Sequence, residues 1–217
     1  MATFTYELPT FTPIADYDDT GLFECVQRAK SRYSSNLSRV KHVTKRFSWL
    51  QQCLPPVHTS ILSISAETPS SSKTFRSPGY HVDDTIYGER LSLLTTHHGT
   101  IFAGCKLTVD HKKYADLLTE IHNGYEQPAH IHRGLRSLYG WDWFEQLTGE
   151  NKPVERRDAG TIHNLVHSVE DLHYATLEAG QLAHGPTETT LHSSPTLHQI
   201  DDSTRRVFFR TLYTPTT

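Results

Sequence analysis

The chain has 217 residues, 36% of them hydrophobic and 21% charged, enough for one domain with a sizeable core and outside the disordered range. Lys and Arg number 21 against 24 Asp and Glu, a net charge of −3 with neutral histidines, and the pI is near 6.6. That balance argues against a polycationic nucleic-acid grip. Histidine is abundant, 15 residues against a single Met.

No apolar run approaches the roughly 18 residues of a membrane span. Residues 1–20 have neither a basic start nor an apolar core, so no secretory leader is expected and the chain reads as cytoplasmic. Cys25, Cys53 and Cys105 are odd in number and far apart, which predicts reduced thiols rather than a disulfide framework or a metal knuckle.

In chain order, a Pro-containing lead precedes a predicted helix with Leu22, Phe23 and Val26 at helical spacing and Asp18 or Asp19 as its N-cap. A second predicted helix over residues 37–50 carries Val40, Val43, Phe47 and Leu50 on one stripe, closed by Pro55 and Pro56. Residues 1–56 are therefore expected to be an N-terminal helical support. Strand-like runs follow at 57–65, 86–96 and 100–109, rich in β-branched residues, with a polar loop at 67–77. Helices are expected at 111–122 and 135–147, the latter holding Trp141, Trp143 and Phe144 next to Tyr139, and 149–160 reads as loop. Strands are expected again at 161–169, 173–177, 189–191 and 206–213.

This order predicts a single domain over 1–217, mainly β with helices (α+β). The β core would span 57–110 and 161–217, with a helical insert over 111–160. An antiparallel sandwich or barrel fits better than a parallel βαβ sheet. There is no Gly-rich phosphate loop after a strand and no G-x-S-x-G elbow.

Four patterns carry chemistry by their order. The first is Gly79-Tyr80-His81-Val82-Asp83-Asp84, where His81 and Asp83 stand two apart and, on a strand, point the same way. The second is the strand start Gly99-Thr100-Ile101-Phe102-Ala103-Gly104. The third is a turn at Ala179-Gly180, followed by Leu191-His192-Ser193-Ser194-Pro195. The fourth is Arg205-Arg206-Val207-Phe208-Phe209-Arg210. A His-x-Asp and a distant His supply two imidazoles and a carboxylate, the donor set of the facial triad in non-haem Fe(II) oxygenases. An arginine on the following strand can hold a carboxylate through two parallel hydrogen bonds.

These motifs resemble the superfamily of Fe(II)- and 2-oxoglutarate-dependent dioxygenases on the double-stranded β-helix, or jelly roll. The resemblance covers roughly residues 79–104 and 177–213. The HVD triplet is similar to that family's H-x-D. The GTIFAG and RRVFFR runs are similar to strands of its taurine-dioxygenase-like branch. The resemblance implies iron on His81, Asp83 and His192, with 2-oxoglutarate on Arg206 and Thr100. It also implies a substrate anion facing Arg210, with O₂ as oxidant and a small molecule or side chain as substrate. His198 competes with His192 for the distal position, and Arg205 with Arg206, because neighbours on a strand face opposite ways.

Two other readings accompany it. One is a non-catalytic β-helix module that binds a ligand. The other is a two-histidine phosphoesterase using His58-Thr59-Ser60 and His192-Ser193-Ser194, although Pro195 interrupts its second strand. His130-Ile131-His132 and His97-His98 are read as solvated loops, and the aromatics of 139–144 as packing within the insert.

Overall fold

The computed structural model describes residues 2–54, 59–68, 83, 88–97, 99–109, 166–193 and 203–215. The expected helices at 111–122 and 135–147, the loop at 149–160 and most of the 67–77 loop lie outside these residues. So do His58, Tyr80, His81, His98, His130, His132 and His198.

Among the described residues the fold is mostly β-sheet with few helices. Nine strands are described: β1 (Ala2–Tyr6), β2 (Thr10–Pro13), β3 (Thr59–Glu67), β4 (Arg90–Thr95), β5 (Ile101–Val109), β6 (Val166–Thr176), β7 (Gln181–Pro186), β8 (Leu191–Ser193) and β9 (Arg206–Tyr213). They form two sheets, and every pairing is antiparallel. The larger runs β2-β7-β4-β9-β3. In the smaller, β5 takes β6 on one edge. On the other edge it takes β8 against Ile101–Ala103 and β1 against Cys105–Val109.

The N-terminal segment is more than a helical support. Residues 2–13 add β1 to the smaller sheet and β2 to the larger, and the expected lead is thus a pair of edge strands. Two helices follow, α1 (Leu22–Arg32) and α2 (Asn36–Thr44), then a 3₁₀ turn over Ser48–Cys53. The expected aspartate N-cap does not form. Gly21, at φ 76°, occupies the cap position, while the Asp18 carboxylate accepts from the Thr20 N–H one turn earlier. At α2 the Ser35 hydroxyl accepts from the Ser38 N–H, a side-chain cap of the usual kind. The stripe expected over 37–50 is split between α2 and the 3₁₀ turn, yet Val40, Val43, Phe47 and Leu50 are all buried.

Two differences concern the C-terminal strands. The expected breaks within 161–177 do not interrupt β6, which runs through Asp171 at φ 54°, opposite a register shift between Gly104 and Lys106. A bulge of this kind absorbs an irregular residue without ending the strand. Strand β7 was not expected. Its Gly185 and Pro186 read as loop residues, but a Cβ on Gly185 would meet the Thr190 hydroxyl, so close approach excludes larger side chains there.

Strand alternation sorts the core into two layers. Ile64, Leu94, Leu182, Val207 and Phe209 face the helices and pack with Leu22, Val26, Val40, Val43 and Leu50. Leu91, Leu93, Ala183 and Leu212 face the other way and meet Phe102 and Leu177 between the sheets. Phe11 closes edge-on against Phe102, with ring centroids 5.6 Å apart. All three cysteines are free and buried, and burial pushes the thiols of Cys53 and Cys105 up to about 12 and about 11. Among the described residues no helix is long and apolar enough to cross a membrane.

Candidate metal centre

Strand β9 carries the charged half of the site. Its pleat sends Val207 and Phe209 to the helix side and Arg206, Phe208, Arg210 and Leu212 to the space between the sheets. The two neighbouring arginines are thereby placed on opposite faces. Arg205 lies outside, paired with Glu24 at 2.8 Å and stacked over Phe23. Arg206 lies inside and is 1% exposed. Its guanidinium sits 4.9 Å from the Phe208 ring centre, and Glu67 is its register partner on β3. Burial pulls its pKa down to about 10, with the Glu67 charge opposing, so the group stays cationic at neutral pH.

Strand β8 carries the imidazole. His192 pairs in register with Phe102 of β5, and their rings lie 6.0 Å apart. The His192 Nδ1 is 3.0 Å from the Thr190 carbonyl oxygen. A carbonyl only accepts, so Nδ1 is the donor, and Nε2 is the ring nitrogen that faces away from it. Fixing one ring nitrogen on a backbone carbonyl is the usual way a metal-binding histidine is oriented.

The carboxylate that faces this nitrogen is Asp83. Both side chains are almost wholly buried, and His192 Nε2 stands 3.8 Å from Asp83 Oδ2. That is too long for a hydrogen bond. It is short enough for both atoms to reach one ion, since two donors at about 2.0–2.2 Å from a metal stand at most roughly 4.4 Å apart. The other oxygen, Oδ1, accepts from Arg210 Nη1 at 2.8 Å. The donor set therefore suits a divalent cation of borderline character. Among the described residues no group of three or more His, Cys, Asp or Glu side chains converges. The expected third ligand, His81, lies outside them.

Thr100 precedes β5 by one residue and Phe102 by two. It is 2% exposed, and its hydroxyl has no hydrogen bond among the described residues. Its carbonyl accepts from the Leu177 N–H at 2.9 Å. This contact demands Gly99, because a Cβ there would fall on the Leu177 carbonyl. The structure thus brings Asp83, His192 and Arg210 together. Arg206 stands on the same inner face, and Thr100 is buried at the start of the facing strand.

Two participants were missed in the sequence. Phe102, beside the His192 ring, was readable only as part of a strand. The Thr190 carbonyl has no side-chain signature at all. The phosphoesterase reading needs His58, which lies outside the described residues; among those described, an aspartate faces His192.

No family model and no curated protein matches the chain. Among solved structures, it is similar to a variant of the non-heme iron oxygenase OrfP in complex with (3S)-hydroxy-L-Arg. The likeness has 12% identity and a TM-score of 0.39, and covers 96% of this chain and 74% of that one. OrfP in complex with Fe, succinate and (3R,4R)-dihydroxy-L-Arg matches at 13% identity and a TM-score of 0.34, over 93% of this chain and 69% of that one. A taurine dioxygenase from Burkholderia xenovorans matches at 13% identity and a TM-score of 0.29, over 97% and 89%. Similarity this distant identifies neither the ligand nor the reaction of this chain.

Proposed function

We propose that the chain is a single-domain Fe(II)- and 2-oxoglutarate-dependent oxygenase on a double-stranded β-helix, acting on a small molecule or side chain. Strand order supports the architecture. From β4 onward the chain alternates between sheets: β4 larger, β5 and β6 smaller, β7 larger, β8 smaller. It returns as β9 between β3 and β4. Such winding of paired antiparallel strands supports a jelly-roll reading.

The observation that carries the function is the buried Asp83–His192 pair, with His192 Nε2 facing a carboxylate oxygen across 3.8 Å. These two residues, with His81 as the third donor, would hold iron. Bound there with a 2-oxo acid, iron supplies O₂ activation coupled to oxidative decarboxylation of the co-substrate to succinate and CO₂. Arg206 and Thr100 are the residues to hold the far carboxylate of 2-oxoglutarate: one is a buried cation, the other a buried hydroxyl. Arg210 keeps its Nε, which has no hydrogen bond among the described residues, for an anionic group of the substrate. Phe102, Leu91 and Leu93 line the inter-sheet space with apolar surface and keep water from it.

The test is succinate formation from 2-oxoglutarate with Fe(II) and O₂, with and without a panel of small metabolites. The wild type should form succinate, and Asp83→Ala and His192→Ala should not. Equal release by wild type and both variants contradicts the assignment. No release from any protein leaves a ligand-binding module.

A further inference from the structure

We infer that Arg210 is a positioning residue for the metal-binding carboxylate: it holds Asp83 by Oδ1, so that Oδ2 alone is presented toward His192. The inference rests on the metal-centre reading and adds a role for Arg210 separate from any contact with substrate.

The two Asp83 oxygens have different neighbours. Oδ1 is 2.8 Å from Arg210 Nη1, a charge-assisted hydrogen bond, and Oδ2 faces His192 Nε2 at 3.8 Å. A carboxylate turns about its Cβ–Cγ bond, and by itself it can offer an ion one oxygen or both. The hydrogen bond on Oδ1 restricts that freedom. Arg210 is well placed to impose it, because β9 is paired on both edges at this point, with Ser63 of β3 and Leu93 of β4 as its register partners. Its backbone is thus fixed, and 29% side-chain exposure leaves the guanidinium mostly shielded from competing water. Asp83 is more deeply buried still, so the hydrogen bond forms in a low-dielectric setting.

The sign of the expected effect separates positioning from mere charge. A cation beside the site repels a divalent ion, so an Arg210 acting only through its charge would weaken metal binding, and its removal would tighten it. An Arg210 that orients Asp83 gives the opposite result. Removal of an outer partner of a metal ligand lowers affinity by about 10–100-fold.

The experiment is titration of the metal-free full-length protein with Co(II), following the visible absorption bands, for wild type, Arg210→Met and Arg210→Lys. Circular dichroism and thermal melting establish that each variant is folded. The inference predicts that Arg210→Met binds Co(II) about tenfold or more weakly. Its bands should also lose intensity, as a freed carboxylate adds its second oxygen and raises the coordination number. Arg210→Lys, which keeps a donor, should recover much of both. Wild-type spectrum and affinity in folded Arg210→Met, or tighter binding, overturns the inference and leaves the metal centre standing. Failure of the wild type to bind Co(II) overturns the metal-centre reading, and the inference with it. If Arg210→Met does not fold, Arg210→Ala takes its place: weaker Co(II) binding with altered bands supports the inference, and wild-type affinity and spectrum overturn it.

Discussion

Along β9, Val207 and Phe209 turn toward the helices, while Arg206 and Arg210 turn between the sheets. The outward pair completes an apolar layer with Leu22, Val26, Val40 and Leu50, whose burial drives folding. The inward pair puts two cations in a space otherwise shared by Phe102, Leu91, Leu93 and Leu212, where charge costs free energy. One strand thus holds a face that stabilises and a face that a packed sandwich would do better without. On the proposed reading, charge is retained there to hold a ligand, one pleat away from the best-packed part of the core.

Replacing Phe209 with Ala tests the stabilising face. The side chain is 0% exposed, so the loss should be about 3–5 kcal/mol by urea denaturation. A loss below about 1 kcal/mol would mean that the helix-side layer is not the core. Gly99→Ala should cost about 1–3 kcal/mol, because its Cβ would drive the Leu177 carbonyl away and shift the chain that carries Thr100. Unchanged stability would contradict that close approach.

On the inner face the expectation reverses. Arg206→Lys keeps a buried cation opposite Glu67 and should leave stability within about 1 kcal/mol of wild type, while it loses the planar fork of donors. It should weaken binding of 2-oxoglutarate by tenfold or more, on the order of the loss of a charge-assisted contact. Calorimetry reads both, and a large stability loss with normal binding would make Arg206 structural.

The smallest effect is a pH slope from the helix-side face. His184 hydrogen bonds through Nδ1 with the Ser92 hydroxyl at 2.8 Å, and burial depresses its pKa below the ordinary 6.5. Unfolding restores that value, so between the depressed pKa and 6.5 the unfolded chain binds more protons. Stability is therefore held above pH 6.5 and declines as pH falls through the window. His184→Gln should show a shallower decline in its urea midpoint, and an identical slope would exclude His184 as its source.

Much of this contrast was legible in the sequence. The run RVFFRTLY alternates charge with apolar residues, and its predicted span, 206–213, matches β9. The family resemblance implied that Asp83 and His192 share a site, and their side chains stand 3.8 Å apart. Other features were not legible. Strands β1 and β2 are short and flank a proline, so their pairing with distant strands had no local signal. Strand β7 hid behind Gly185 and Pro186, whose small size answers to Thr190 across space rather than to a turn. The hydrogen bond between Arg210 and Asp83 joins positions 127 residues apart, and only the fold brings them together.

Anaerobic titration of the metal-free protein with Fe(II) in the presence of 2-oxoglutarate addresses the central claim most directly. The account predicts one Fe(II) bound per chain, with a weak visible charge-transfer band that is absent in Asp83→Ala and in His192→Ala. No retained iron and no band in the wild type, or the same band in both variants, would contradict it.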